Sequence, residues 1–253
     1  MADITIIDTH THLGDRNFDP DREEVLARAA TKGVQAVIAV SETIEDALRN
    51  LELAGSHPMI LPAAGLYPGC VSLEACDQMT ALIRAAADRL VAIGEVGLDY
   101  RLAKEDEERR LQRQVFAAFI HLARELDLPL NIHSRSAGRH VVAMLLDEKA
   151  EKVHLHAFDG KWSAARPAVE AGWYFSIPPS IVRSRQKQKL ARHLPLASLL
   201  LETDSPVLGP EPGIRNEPAN ILVAAKAVAE LKRIPVEEVL AAARENSRAL
   251  YGI

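Results

Sequence analysis

Short apolar runs rich in β-branched residues recur along this chain, and stretches with helical periodicity separate them. About eight such strand–helix units in succession are typical of an α/β fold of the (β/α)8 TIM-barrel type. A doubly wound open sheet is the main alternative, but it is expected to carry a Gly-rich phosphate loop after its first strand. Here that turn reads His10-Thr11-His12-Leu13-Gly14. The predicted strands are Ile4–Thr9, Val34–Val40, Ile60–Gly65, Val91–Gly94, Leu128–Ile132, Lys152–Leu155, Trp173–Ile177 and Ser198–Thr203.

Helical periodicity is clearest in Glu105–Asp127, where apolar residues fall three or four positions apart and charged residues occupy the other face. Glu74–Leu90 and Pro218–Leu231 behave alike, and a last helix is predicted to carry Pro235 in its first turn. A chain of 253 residues with 48% hydrophobic content can bury one barrel-sized core. No internal repeat or linker interrupts it, so we predict a single domain over residues 1–253.

Charge and cysteine content exclude several classes of protein. A formal net charge of −5 argues against a protein that coats nucleic acid through bulk positive charge. Cys70 and Cys76 are too few for a disulfide framework, which favours a reducing compartment. No apolar run approaches the roughly 20 residues that cross a bilayer. We also expect no signal peptide, because the N-terminus lacks a basic segment followed by an apolar one. We predict a cytoplasmic protein without membrane contact, and no obligate protein partner is evident.

Residues that bind metals stand at the ends of five predicted strands. In the first strand two imidazoles lie two positions apart, so they point to the same side of an extended chain. Each residue alone has an ordinary explanation as a solvated loop side chain. Because all strand ends of a barrel meet at one mouth, their joint occurrence predicts a metal site there. The candidate ligands are His10, His12, Glu95, His133, His156 and Asp204.

Four imidazoles and two carboxylates are too many for one tetrahedral ion and suit a binuclear site. Glu95, which lies between Gly94 and Gly97, is the predicted bridge between the two ions. Nitrogen and oxygen ligands without thiolates fit Zn²⁺, Mn²⁺ or Fe²⁺, and Mg²⁺ less well. We assign His10, His12 and Asp204 to one divalent ion, His133 and His156 to the other, and Glu95 to both.

Two residues of this set have predicted catalytic roles. Glu95 holds both ions, and Asp204 would also take the proton from the attacking water, since it lies beside the hydroxide that metals generate. His154, two positions before His156, is predicted to point away from it and to be structural.

Six motifs in this chain resemble, in order, those of TatD-type metal-dependent deoxyribonucleases, from near residue 4 to near residue 250. Within that family, 133–139 and 175–181 are most similar to the third TatD-domain paralogue of animals. The resemblance implies a barrel, two metals at the six ligands named above, and phosphodiester hydrolysis, often as a 3′ exonuclease on single-stranded DNA. The motifs are Asp8-x-His10-x-His12, Gly94-Glu95-x-Gly97-Leu98-Asp99, Ile132-His133-Ser134-Arg135, His156-x-Phe158, Glu202-Thr203-Asp204-Ser205-Pro206 and Arg215-Asn216-Glu217-Pro218.

One departure from the family concerns the substrate. Where the family usually has Gly-x-His-Pro, this chain has Gly65-Leu66-Tyr67-Pro68, and a tyrosine hydroxyl cannot act as an imidazole acid near neutral pH. The predicted substrate contacts are Tyr67, Arg135, which can bind a phosphate in bidentate fashion, and Arg215 with Asn216 in the loop after the eighth strand. A basic run at 183–193 would place Arg185, Lys189 and Arg192 on one helix face, either solvated or along a nucleic acid.

Three functions follow from these residues. The first is hydrolysis of a phosphodiester in single-stranded DNA. The second keeps the metals but cleaves a carboxylic ester or amide, including the aminoacyl ester of a transfer RNA. The third is a metal-holding scaffold that binds a partner protein. This is disfavoured because all six ligands are present, among them Asp204, the predicted proton acceptor.

Overall fold

The structure is a computed structural model that describes residues 5–253. Within this range, eight parallel strands follow one another around a single sheet in sequence order, which confirms the predicted (β/α)8 architecture. The strands are β1 (Ile6–Thr11), β2 (Val34–Ala39), β3 (Ile60–Ala64), β4 (Ala92–Gly97), β5 (Leu130–His133), β6 (Val153–Leu155), β7 (Tyr174–Ile177) and β8 (Leu199–Leu201).

The barrel closes where the segment after β8 returns to β1. The amide of Asp204 donates to the carbonyl of His10 at 2.8 Å, and the amide of His12 donates to the carbonyl of Ser205 at 2.8 Å. Deeper in the barrel, the buried carboxylate of Asp8 accepts from the amide of Thr203 at 2.8 Å. The Asp8 side chain thus replaces a backbone acceptor between the two segments. It connects the segment after β8, which carries Asp204, to β1 and the two histidines at its end.

Helices surround the sheet on its outer face. The N-cap of the longest helix, α4, is Glu105, which forms a capping box with Glu108, and its C-cap is Asp127 in the left-handed region (φ 55°). The helices in the described part of the chain are α1 (Arg22–Thr31), α2 (Ile44–Ser56), α3 (Leu73–Ala85), α4 (Asp106–Leu126), α5 (Gly138–Asp147), α6 (Trp162–Glu170), α7 (Arg185–His193), α8 (Ile221–Lys232) and α9 (Val236–Tyr251).

Several element bounds differ from the sequence prediction. Strand β1 extends to Thr11 and β4 extends to Gly97, so His10 and Glu95 lie inside strands rather than after them; Ile4, the predicted start of β1, lies outside the described residues. The α3 helix stops earlier than predicted, at Ala85, and α8 follows a short 3-10 turn. Pro235 is the N-cap of α9 rather than a member of its first turn.

Two apolar clusters fill the molecule. The larger one lies between the sheet and the helices, and the smaller one contains Ile38, Ala92, Leu200 and Tyr251. The hydroxyl of Tyr251 lies 2.7 Å from Nδ1 of His154, which connects this second cluster to polar groups nearer the mouth. None of the helices between residues 5 and 253 combines the length and apolar character that crossing a membrane requires.

Candidate metal centre

The structure brings all six predicted ligands together at the mouth of the barrel. Parallel strands of a barrel all end at one face, so residues far apart in sequence meet there. Most of these side chains are buried, and only the rings of His12 and His133 are partly exposed, at 15% and 12%. His10 lies in β1 and His12 directly after it, Glu95 lies in β4, His133 ends β5, and His156 and Asp204 follow β6 and β8.

The first group of ligand atoms surrounds one point. Nε2 of His12 lies 3.4 Å from Nε2 of His10, 3.4 Å from Oε2 of Glu95 and 3.3 Å from Oδ1 of Asp204. Nε2 of His10 lies 3.5 Å from the Asp204 oxygen and 3.8 Å from the Glu95 oxygen. Tetrahedral Zn²⁺ with bonds of about 2.0–2.1 Å places its ligand atoms roughly 3.3 Å apart. Five of the six distances between these four ligand atoms are therefore near the tetrahedral value, and His10, His12 and Glu95 form one compact group of possible ligands.

The second group uses the other oxygen of Glu95. Oε1 lies 2.5 Å from Nδ1 of His133 and 3.2 Å from Nε2 of His156, and the two nitrogens are 3.2 Å apart. Three protein ligands leave one tetrahedral position free for water or substrate, as catalytic zinc sites do. Each oxygen of Glu95 thus faces a different ligand group, which is the arrangement that a bridging carboxylate requires.

Outer hydrogen bonds determine which ring nitrogen each histidine offers. Nδ1 of His10 lies 2.8 Å from Oδ1 of Asn131, and since an amide oxygen only accepts, the proton stays on Nδ1 and Nε2 is free for a metal. Nε2 of His133 lies 3.1 Å from Oδ2 of Asp99, so His133 offers Nδ1 instead. Such partners fix tautomer and ring orientation in metal sites.

Glu202 lies beside His156, although Nδ1 of His156 has no hydrogen-bond partner among the described residues. Nδ1 of His156 lies 3.5 Å from Oε2 of Glu202, and His10, His156 and Glu202 are close enough to hold an ion themselves. However, Oε1 of Glu202 accepts from the amide of Ala157 at 2.9 Å and Oε2 accepts from the hydroxyl of Ser176 at 2.6 Å. With both oxygens occupied, we interpret Glu202 as a residue that orients His156.

The sequence prediction about the direction of His154 was wrong. Its Nε2 lies 2.5 Å from the hydroxyl of Ser176, which also donates to Glu202 beside His156. Side chains two positions apart in a strand share a side, so both rings face the barrel interior. His154 belongs to the polar layer below the mouth, and it is in neither of the two ligand groups described above.

In the cluster, burial and the charges of nearby carboxylates act against each other on the pKa values of the histidines. Burial alone would lower the pKa of His12, but the hydrogen bond to Asp204 and the charge of Glu95 raise it to about 9. Burial likewise opposes ionisation of His156, and the charges of Glu95 and Glu202 raise its pKa to about 10. Burial opposes ionisation of Glu95 too, yet the histidines hold its pKa well below the usual value. The cluster therefore attracts positive charge, as protons or as metal ions.

A cavity of about 420 Å³ opens over the ligands, and we call it the mouth cavity. Tyr67 and Arg135 line it, and their contact with a substrate stays a prediction. Both are bonded to Asp99: the Tyr67 hydroxyl and the Arg135 Nε donate to its Oδ2, each at 2.8 Å. Arg135 Nη2 also donates to the Tyr67 hydroxyl at 2.9 Å. Burial and Asp99 raise the pKa of Tyr67, so its hydroxyl remains a neutral hydrogen-bonding group.

The structure does not bring Arg215 and Asn216 into the mouth cavity. Arg215 forms a bidentate pair with Asp21, at 2.8 and 2.6 Å. Contact with a substrate would require this pair to open, and it stays a prediction. Asn216 is buried, and its amide donates to the carbonyls of Thr203 and Val207 at 2.8 and 2.9 Å. Asn216 therefore stabilises the loop that carries Asp204.

Sequence reasoning missed several residues of this region. Asn131 precedes His133 by two positions, and this spacing alone indicates that both face the same side of β5. Glu42 and Lys187 line the mouth cavity. Lys187 belongs to the predicted basic helix but lies two positions from Arg185, on the opposite side of α7. Arg185, Lys189 and Arg192 are exposed, as predicted for that face.

This chain is similar to known proteins both in sequence and in fold. A family model described as "TatD related DNase" matches residues 7–252. A human protein named deoxyribonuclease TATDN3 is 45% identical, over 99% of this chain and 96% of its own length. A mouse protein named putative deoxyribonuclease TATDN3 is 46% identical, over 98% of this chain and 88% of its length. The crystal structure of the Escherichia coli TatD homologue YJJV superimposes with a TM-score of 0.91 at 30% identity, covering 98% of both chains.

Proposed function

Because this chain belongs to the TatD family of metal-dependent hydrolases, we propose that it is a deoxyribonuclease that hydrolyses phosphodiester bonds of single-stranded DNA from the 3′ end. Two divalent ions would be held at the mouth, Zn²⁺, Mn²⁺ or Fe²⁺ in preference to Mg²⁺. The proposal depends on one observation: the two carboxylate oxygens of Glu95 face separate groups of ligand atoms. We also propose a cytoplasmic location for the protein, in line with its free Cys70 and Cys76.

Bound ions at this site would polarise a phosphoryl oxygen and lower the pKa of a water molecule. The protein supplies the positions and the proton acceptor. Asp204 is 6% exposed and lies at the edge of the mouth cavity, beside Nε2 of His12. In our proposal its carboxylate accepts the proton of the attacking water while the new bond to phosphorus forms and the bond to the departing sugar oxygen breaks. Tyr67 and Arg135, which line the same cavity, would position the substrate.

Replacement of Asp204 tests this mechanism. We expect Asp204→Ala to lower the rate on single-stranded DNA by at least about a hundredfold, since a positioned proton acceptor contributes that much or more. Asp159→Asn is a matched control, because Asp159 lines the same cavity but its carboxylate accepts from the amide of Ser136 instead. Metal content of each protein is counted by mass spectrometry. Equal rates for Asp204→Ala and the unaltered protein would overturn the proposed mechanism.

Hydrolysis of a carboxylic ester, including the aminoacyl ester of a transfer RNA, is the second candidate. It is favoured by the state of Arg135, whose guanidinium is already paired with the buried Asp99 rather than free for a phosphate. A panel of carboxylic esters assayed beside oligonucleotides separates the two reactions. Turnover of the esters without cleavage of any oligonucleotide would replace the first proposal by the second.

A further inference from the structure

A lysine that the proposed mechanism leaves unused lines the mouth cavity. Lys187 projects from α7 and is only 8% exposed, although its neighbours Arg185 and Lys189 on the same helix are exposed. We propose that Lys187 is the side chain that binds the anionic phosphate group of the substrate beside the metal ligands. This inference rests on the proposed phosphodiester hydrolysis and adds to it the group that holds the phosphate.

The position of Lys187 is determined by the loop that follows the ligand His156. Its Nζ donates to the carbonyl of Ala157 at 2.9 Å. Ala157 has φ of 41°, in the left-handed region that few non-glycine residues adopt, and its amide is held by Glu202 at 2.9 Å. The loop conformation therefore places a carbonyl where it anchors the ammonium group at the wall of the cavity.

The hydrogen bonding of Lys187 is incomplete. An ammonium group has three donors, and the carbonyl of Ala157 takes one of them. In the part of the chain that the structure describes, no carboxylate forms a salt bridge with Lys187. Burial lowers the pKa of Lys187, whereas the charges of Glu202 and Asp204 oppose that shift. A buried cation with donors to spare, in a cavity that contains metal ligands, is suited to bind an anionic oxygen.

The other cation that lines the cavity is not free in the same way. Arg135 is paired with Asp99 through Nε and Nη2 and donates to Tyr67 as well. Binding a phosphate through Arg135 would compete with these contacts. Lys187, by contrast, can bind a phosphate oxygen without giving up its one hydrogen bond. Of the two cations, Lys187 therefore carries the proposal.

A purely structural role for Lys187 would be to tie α7 to the loop after β6. Gln186, its neighbour in sequence, already makes this connection. Its Nε2 donates to the carbonyls of Phe158 and Gly160 at 3.1 and 2.8 Å, and it does not line the cavity. An uncharged amide is thus sufficient for the tie. Gln186 also provides a matched control, because its replacement weakens the same connection without touching the charge in the cavity.

The variants Lys187→Gln and Gln186→Ala distinguish the two roles. Glutamine at 187 can keep a hydrogen bond to Ala157 while the charge is lost. With the metal-loaded proteins, binding of inorganic phosphate is measured by calorimetry, and cleavage of bis(p-nitrophenyl) phosphate is compared with cleavage of p-nitrophenyl acetate.

We expect Lys187→Gln to weaken phosphate binding by about tenfold or more, the value of a hydrogen bond to a charged group. Diester cleavage should fall by a similar factor, with any activity on the neutral ester unchanged. Lys187→Arg should retain most of the phosphate affinity, and Gln186→Ala should leave it unchanged. Equal phosphate affinity in Lys187→Gln and the unaltered protein, or an equal loss in Gln186→Ala, would overturn the proposal.

Failure of this inference can be told apart from failure of the proposed function. If the protein cleaves no diester but Lys187→Gln still weakens phosphate binding, the phosphate site stands and the proposed reaction is wrong. If the Lys187→Gln variant and the unaltered protein cleave the diester equally well, the proposed reaction stands and Lys187 is structural. Should Lys187→Gln not fold, acetic anhydride labelling of the unaltered protein decides: added phosphate must slow modification of Lys187, mapped by peptide mass spectrometry, and unchanged labelling refutes the site.

Discussion

Substitution of Asn131 by leucine tests whether the hydrogen bond between Asn131 and Nδ1 of His10 keeps Nε2 of His10 free to bind a metal. Both side chains are fully buried, and Oδ1 of Asn131 accepts from Nδ1 of His10 at 2.8 Å. Leucine has a similar volume but no acceptor, so the tautomer with Nε2 free loses its stabilisation. Loss of such a partner lowers metal affinity by about 10–100-fold, which is about 1.4–2.7 kcal/mol.

The same substitution has a cost in stability that can be worked out from the structure. Nδ2 of Asn131 donates to the carbonyl of Thr9 at 2.9 Å and to the hydroxyl of Tyr251 at 3.2 Å. With the bond to His10, all of these buried hydrogen bonds are lost, at about 1 kcal/mol each. We expect the free energy of unfolding to fall by about 2–4 kcal/mol.

Two assays separate these effects. Metal affinity is measured by competition with a chromophoric chelator, and stability by urea unfolding in excess chelator. Asn50→Leu is the control: Asn50 is equally buried, and its amide donates to the carbonyls of Ala39 and Val40 at 3.2 and 2.9 Å. It should lose stability but keep its metal affinity. A folded Asn131→Leu protein with unaltered metal affinity would refute the role assigned to Asn131.

The remaining predictions concern protons and backbone packing. His12 and His156, with pKa values of about 9 and 10, should lose about two protons when metal binds at pH 7, measurable by calorimetry in buffers of different ionisation enthalpy. In the metal-free protein these raised pKa values contribute stability. The contribution is complete below the ordinary histidine pKa of 6.5 and is lost as pH rises to about 10. Unfolding curves without pH dependence over this range would contradict the prediction. Gly97→Ala should cost about 3 kcal/mol or prevent folding, because φ is 143° and the new Cβ would lie 2.1 Å from the carbonyl oxygen of His133. Gly55→Ala in α2, with open space around it, should instead stabilise by about 0.5–1 kcal/mol in urea unfolding.

The strand–helix order and the residues that gather at the mouth could be read from the sequence. Period-two and period-3.6 patterns report which faces are buried, and eight such units in order leave few topologies. His10 and Glu95 were then placed at the mouth by topology alone, because every strand of a parallel barrel ends there. The structure does bring these two side chains together.

Element bounds were less predictable, because they depend on pairing with a neighbouring strand. Strand β4 continues to Gly97, which pairs with His133, and this extension carries Glu95 inside the sheet. The lack of a side chain at Gly94 lets β4 and β5 approach closely, since a Cβ at this position would lie only 2.6 Å from the Cβ of Asn131. Nothing local in 91–97 signals where the partner strand ends.

The sequence by itself determined the barrel and which chemical groups stand at its mouth, since both follow from local periodicity and chain order. Only the tertiary structure decided which groups are already occupied by other partners. Arg215 pairs with Asp21, 194 positions away, and Arg135 pairs with Asp99, 36 positions away, whereas Lys187 faces the cavity without an acidic partner among the described residues. The energy of an ionic contact depends on distance in space, which the order of residues along the chain does not contain.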